Sequence, residues 1–298
     1  MDFRLKVFYA VANRLSFTKA ATELFITQPA VSKHIQELEE EYKVKLFDRN
    51  GSKISLTHGG KVLLEHAKSI FEIYREIDFD MSTLINQQRG MLRLGASTTI
   101  SQYIIPPILA RFHQKMEDIK VNLRNGNSEQ IENALLNKEI EIGIVEGQSK
   151  NQLIKYIPFL KDELVLVCNS KNPLIAKKEI SKGDLLDMKF LVREQGSGTL
   201  EVIEHALKSL EIRLSQLTVE MELGSTESIK SYLMNSNCVA FVSIHAIEKE
   251  LKNNELTILD VKNLSMERYF YIISLQGSKE ALSDLFLKNI SSYYNLEL

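Results

Sequence analysis

The sequence predicts an α/β fold carried behind an all-helical head. Three observations lead there. Over residues 1–58 apolar residues recur at helical spacing, and residues suited to capping helices stand between the runs. Over roughly residues 58–88 a seven-residue apolar repeat continues without a break. From Met91 nine short apolar, β-branched runs alternate with helical segments of about ten to fifteen residues. That is the pattern of a largely parallel sheet covered on both faces.

In the head, Phe3, Val7, Phe8 and Val11 give a first helix one apolar face. Thr18 is placed to cap a short second helix, KAATEL, whose Ala20 and Ala21 permit close packing. Thr27 is placed to cap a third, with Pro29 in its first turn, where a missing N–H does no harm. The third helix keeps Val31, Ile35 and Leu38 on one face and presents Gln28, Ser32 and Gln36 on another, with Lys33 beside them. Two extended runs then flank Asn50-Gly51, the strongest short hairpin signal. In the long helical stretch, Leu63, Ile70, Ile77 and Leu84 recur every seven residues, interleaved with Ala67, Tyr74, Met81 and Gln88. Such a seam pairs with a copy of itself; the competing reading is a seam packed on its own domain.

Bulk properties bound the class. A chain of 298 residues accommodates two or three domains, and 44% hydrophobic with 26% charged residues is ordinary for a globular protein. The net charge of −2 excludes a protein basic throughout, although residues 1–60 hold nine Lys/Arg against seven Asp/Glu. Cys168 and Cys238 stand in strand-like runs, LVLVCN and CVAFVS, without metal-ligand spacing, and read as buried inert thiols. Charges are scattered through the N-terminus, unlike a secretory signal, and no apolar run approaches the ~20 residues needed to cross a bilayer. The expected location is cytoplasmic.

Residues 18–37, TKAATELFITQPAVSKHIQE, read as a capped helix, a tight connection and a second capped helix. This is a helix-turn-helix unit, which sets the N-terminal residues of its second helix against base edges in the DNA major groove. Gln28 suits adenine, Lys33 suits guanine or a phosphate, Pro29 suits a thymine methyl, and Ser32 lies among them. Glu37, Glu39, Glu40 and Glu41 repel phosphates, so only the N-terminal half enters the groove. Arg49, Ser52 and Lys53 at the hairpin supply a wing for the backbone or minor groove. Thr18, Lys19, Thr27 and Gln36 complete the DNA-facing set. The competing reading is three packed helices with a solvated polar face.

The stretch SFTKAATELFITQPAVSKHIQELEEEYKVKLFDRNGSKISLTHGG resembles the winged helix-turn-helix of LysR-type transcriptional regulators, and the resemblance covers the entire chain. It implies a winged helix-turn-helix domain over 1–58, a linker and dimerisation helix over 59–88, and a two-lobed, periplasmic-binding-protein-like effector domain over 89–298. The implied lobes are about 91–161 with 268–298, and 162–267. Also implied are a homodimer or homotetramer and three partners: double-stranded DNA, a small-molecule effector and RNA polymerase. Neither cofactor, metal nor membrane is implied. The sequence departs from the family at Tyr42-Lys43, where Leu-Gly is common, and at Gly59, where Ala is usual before Gly60. A non-glycine at a left-handed helix end costs ~1 kcal/mol.

Ser97-Thr98-Thr99 match the family's ligand-facing hydroxyl cluster, and a helix start with hydroxyls also suits an anion. Across the cleft the loop REQGSGTLE offers Gly196, Ser197, Gly198 and Thr199, with Gly224-Ser225-Thr226 at another strand-to-helix junction. Asn127, Ser128 and Glu146 are further candidates. Each is alternatively a local helix cap, but three junctions converging on one cleft favour a site. The expected effector is a small anion: sulfate or a related sulfur species, phosphate, or a compact carboxylate. The TTIS and GSGT segments resemble those of family branches tied to sulfur assimilation or carbon fixation.

Enzyme signatures are missing from the chain. The glycine loop has neither the lysine of a phosphate-binding NTPase nor a third glycine, no G-x-S-x-G elbow appears, and the six histidines are scattered. The expected function is a DNA-binding, non-enzymatic regulator. The alternatives are a solute-binding protein, disfavoured by the DNA-binding head, and a small-molecule metabolic enzyme, which lacks any catalytic set.

Overall fold

The computed structural model describes residues 2–50, 53–84, 89–147, 150–278 and 281–294. The chain divides into two compact units, Met1–Met81 and Ser82–Leu298.

In the first unit, α1 (Phe3–Arg14), α2 (Phe17–Leu24) and α3 (Gln28–Tyr42) precede an antiparallel hairpin of β1 (Phe47–Asn50) and β2 (Lys53–Leu56), then α4 (His58–Leu84). Each of the first three helices starts on a side-chain oxygen. Asp2 accepts from the Arg4 N–H at 2.9 Å, Ser16 from Lys19 at 3.3 Å and Thr27 from Ala30 at 3.3 Å. Ser16 therefore caps α2 where Thr18 was expected. Its extended backbone aims the hydroxyl at the N–H three residues on, and Phe17 joins the helix because its ring is buried in the core.

Val7, Phe8, Val11, Ala20, Val31, Ile35 and Leu38 form one core with Leu46 and Phe47 of the hairpin and Ala67 of α4. Fully burying each of the larger side chains contributes about 1.5–3 kcal/mol. The α4 seam meets two fates. Leu63 and Ala67 pack against this core. Further along, Ile70, Ile77, Met81 and Leu84 are exposed, Leu84 by 75%. Gln88 lies outside the described residues.

The second unit runs β3 (Gly90–Ser97), α5 (Thr98–Tyr103), α6 (Ile105–Lys115), β4 (Ile119–Gly126), α7 (Ser128–Leu136), β5 (Ile142–Glu146) and β6 (Ile154–Asn169). It continues with α8 (Lys182–Asp187), β7 (Lys189–Arg193), α9 (Gly198–Leu207), β8 (Thr218–Leu223), α10 (Thr226–Leu233) and β9 (Val239–Ser243). Last come α11 (Glu248–Lys252), β10 (Leu256–Leu259), β11 (Glu267–Leu275) and α12 (Ala281–Tyr294). The strands form one sheet in the order β4-β3-β5-β11-β6-β9-β7-β8, with β10 on β6.

The sheet is mixed, which corrects the expectation of a largely parallel one. Two parallel groups, β4-β3-β5 and β9-β7-β8, are joined by antiparallel β6 and β11. The chain leaves the first group along β6 and returns along β11, so the joining strands must oppose each other. β6 begins at Ile154, nine residues before the apolar run ELVLVC that marks it in the sequence. The hidden part contains Pro158, which faces Tyr271 where the register shifts. A proline has no ladder N–H to give, and a bulge is where a strand tolerates one.

Cys168 and Cys238 are free, buried, and packed into different core clusters. Burial pushes the Cys168 thiol up to about 11, away from reactivity. Among the described residues no helix is long and apolar enough to cross a membrane.

Candidate functional site

In the head, the DNA-facing candidates Thr18, Lys19, Thr27, Gln28, Pro29, Lys33 and Gln36 are exposed, and Ser32 is half-buried. The Gln28 amide donates to the Ser32 hydroxyl at 2.9 Å, so the two side chains hold each other one turn apart on the polar face. Gln36 donates to Glu40 at 2.8 Å, so the carboxylate nearest the polar face is already engaged. Glu39 is folded away from that face. Burial raises its carboxyl, but bonds from Lys45 and the Leu46 and Phe47 N–H groups outweigh that and leave it below its ordinary value. Arg49 and Lys53 belong to the strands of the hairpin, and Ser52 lies outside the described residues.

In the second unit, strand ends and helix starts from both parallel groups meet. Ser97 closes β3 and its hydroxyl donates to the Glu146 carboxylate. Thr98 opens α5; its hydroxyl donates to the Gly126 carbonyl at 3.0 Å and accepts from Arg193 Nη2 at 3.3 Å. Thr99 meets Thr226, oxygen to oxygen, at 3.4 Å. From the other group, Thr199 at the start of α9 donates to Glu146 Oε1 at 3.3 Å. Asn127 caps α7 and also donates to the Gln195 carbonyl at 3.2 Å, while Ser128 donates to the Glu146 carbonyl at 2.6 Å. The Glu129 N–H donates to the Gly196 carbonyl at 3.2 Å. Gly196 has φ +82°, the left-handed region that favours glycine at this crossing.

Ser97, Thr98, Asn127, Ser128, Glu146, Gly196, Gly198 and Thr199 are thus brought together. Ser225 does the local task instead, capping α10 through the Ser228 N–H at 3.1 Å. Ser197 does the opposite. It stands at the cap position of α9, where its carbonyl accepts from the Glu201 N–H at 3.1 Å but its side chain makes no cap bond; it is 4% exposed, and its hydroxyl has no partner.

Sequence reasoning named Glu146 but missed the two arginines of the cleft. Arg193, 2% exposed, pairs with Glu194 through Nε (2.8 Å) and Nη2 (2.9 Å), while Nη1 has no partner. Arg268 bonds Asp162 through Nε at 2.7 Å and Thr199 through Nη1 at 3.1 Å, and its Nη2 has no partner. Asp162 also accepts from Ser243 at 2.7 Å. The available signal was a charge inside a strand-like run, in KFLVRE and RYFYIIS, where a buried ion needs partners. α7 and α9 border a cavity of about 300 Å³ that Glu146, Gly196 and Ser197 also line.

Residues 3–61 match the helix-turn-helix of bacterial regulatory proteins of the lysR family, and residues 86–290 match the LysR substrate binding domain. The chain belongs to the LysR family and is a transcriptional regulator with a DNA-binding helix-turn-helix and an effector-binding domain. A probable RuBisCO transcriptional regulator of Synechocystis is 35% identical over 273 residues, 91% of this chain and 79% of that protein. The HTH-type transcriptional regulator CysL of Bacillus subtilis is 30% identical over 297 residues, 99% of this chain and 98% of that one. Among solved structures, the CcmR regulatory domain of Synechocystis in complex with 2-PG is 32% identical with a TM-score of 0.62, covering 68% of this chain and 96% of that chain.

Proposed function

We propose that this regulator controls a promoter through a small anionic effector bound between the two strand groups of its second unit. Residues 1–58 carry the DNA-reading head, 59–88 a helix that pairs two copies, and 89–298 the effector domain, its lobes changing over near 161/162 and 267/268. The observation that carries the anion is Arg193. Its guanidinium is almost fully buried, touches Thr98 from the opposite strand group, and keeps Nη1 without a partner. A buried charged donor left unmade costs roughly 1–3 kcal/mol, which an anion in the cleft recovers. The bound 2-PG of the CcmR regulatory domain supports a small molecule in this kind of domain.

The test is fluorescence anisotropy on DNA from the chain's own upstream region, with 2-PG, phosphate or sulfate added. At least one anion is expected to change the DNA affinity several-fold. Thr98→Val is expected to abolish that response and leave DNA affinity within a few fold. No response to any of the anions, or unfolding of the Thr98→Val domain in place of a lost response, would overturn the reading.

A further inference from the structure

The two strand groups also meet where α5 of the first faces α10 of the second. Lys230 of α10 is a buried cation, 4% exposed. A buried charge persists only with partners, and its own strand group supplies them. The ammonium donates to the Ala246 carbonyl at 2.9 Å and pairs with Glu250 at 2.9 Å and Glu227 at 3.0 Å. Ile229 and Leu233 anchor α10 in the core of that group, with Val167, Leu191 and Val242.

Onto this prepared cation the first group sets one half-buried side chain, Tyr103. The Lys230 ammonium stands over its ring, 5.0 Å from the centroid, where the ring face attracts positive charge. The Tyr103 hydroxyl donates to Glu227. Burial and that bond raise the phenol above its ordinary value, so it stays a donor. One turn earlier on α5, Thr99 meets Thr226 at 3.4 Å; four residues apart, Thr99 and Tyr103 share a face of the helix.

We infer that Tyr103 is a latch between the two strand groups, closing the cleft when docked on Lys230 and Glu227 and letting it open when it leaves. Two features suit it to that task. Lys230 keeps Ala246, Glu250 and Glu227 when Tyr103 departs, so opening strands no buried charge. The Tyr103 hydroxyl gives its bond to an exposed carboxylate, and water replaces such a bond at small net cost. A ligand touching both Thr98 and Arg193, which lie on opposite groups, bridges the same gap and pulls in the same direction as the latch. The inference goes beyond the effector reading, since it holds whatever molecule fills the cleft.

A distant amide reports whether the groups part. The Glu129 N–H lies in the first turn of α7, where its own helix offers no acceptor, and it bonds the Gly196 carbonyl of the other group at 3.2 Å. The test is amide-resolved hydrogen exchange on the full chain. Tyr103→Phe keeps the ring and removes the hydroxyl, and it should speed exchange at Glu129 about fivefold while the amides of α1 to α3 stay unchanged. Glu227→Ala should act alike, and adding Tyr103→Phe to it should change little more. Should Tyr103→Phe not fold, as judged by circular dichroism, Glu227→Ala at its exposed site decides alone. Exchange that quickens only in α5 and α10, or nowhere, makes Tyr103 a local surface contact and overturns the latch without touching the effector reading. Additive effects of the two substitutions overturn it too, because the hydroxyl then does not act through Glu227. A chain that answers to none of the anions loses the effector reading and leaves this test intact.

Discussion

Glu132 sits where a carboxylate is uncomfortable. Burial raises its pKa first, Glu201 and Glu129 raise it further, and the Tyr156 bond only partly offsets them. A folded-state pKa above the unfolded one contributes stability below the ordinary value of 4.5 and loses it as pH rises through the folded value. The Glu132→Gln variant lacks that titration. It should melt higher than the parent near pH 7.5, with the gap closing as pH falls towards 4.5, in thermal scans followed by circular dichroism. A gap that does not change with pH would show that Glu132 is not perturbed. Single residues were also where the sequence was hardest to read. Thr98 was singled out by resemblance, and the structure sets its hydroxyl between the Gly126 carbonyl and Arg193. Arg193 and Arg268 were not, because a charge at the end of an apolar run looks like the start of a surface turn until burial is known.

At the scale of elements, punctuation was more legible than length. Thr27 and Pro29 announce α3, and Val31, Ile35 and Leu38 are the residues it buries. β6, at sixteen residues, was read short because Pro158 and scattered charges mask its first half. The end of α3 is the clearest case of a family departure with an energetic consequence. Lys43 adopts φ 54° and ψ 32°, the left-handed conformation, with its N–H returned to the Glu39 carbonyl. A side chain there costs roughly 1–2 kcal/mol, and glycine gives back part of that in unfolded-chain entropy. Lys43→Gly should therefore stabilise the head by about 0.5–1 kcal/mol, seen by calorimetry as a rise of several degrees, at ~4–8 °C per kcal/mol for a unit of this size. A lower melting temperature would mean the Lys43 side chain contributes more than its strained backbone takes away.

The whole molecule raises the question of what covers the far half of α4. The seven-residue repeat was plain in the sequence, but a repeat does not say which part of a seam its own domain covers. Leu63 and Ala67 pack on the head core, while Ile70, Ile73, Ile77, Met81 and Leu84 are exposed, Ile77 by 46% and Met81 by 55%. A run of apolar residues at this spacing on one helix favours pairing with its own copy. If so, two heads are linked and grip two half-sites together. The second contact then benefits from an effective concentration that raises affinity by about 10²–10⁴ without new contacts. Ile77→Glu puts a charge in the middle of the stripe, opposite its own copy in a symmetric pair, while leaving the head core untouched. It should convert a dimer to monomers in sedimentation equilibrium at unchanged helix content, and weaken binding to a two-half-site duplex about a hundredfold while hardly affecting a single half-site. A variant that remains dimeric, or one that dissociates and still binds the full site as tightly, would move the linkage away from α4. The coupling between DNA and effector, which must act reciprocally, would then be sought in pairing of the effector domains.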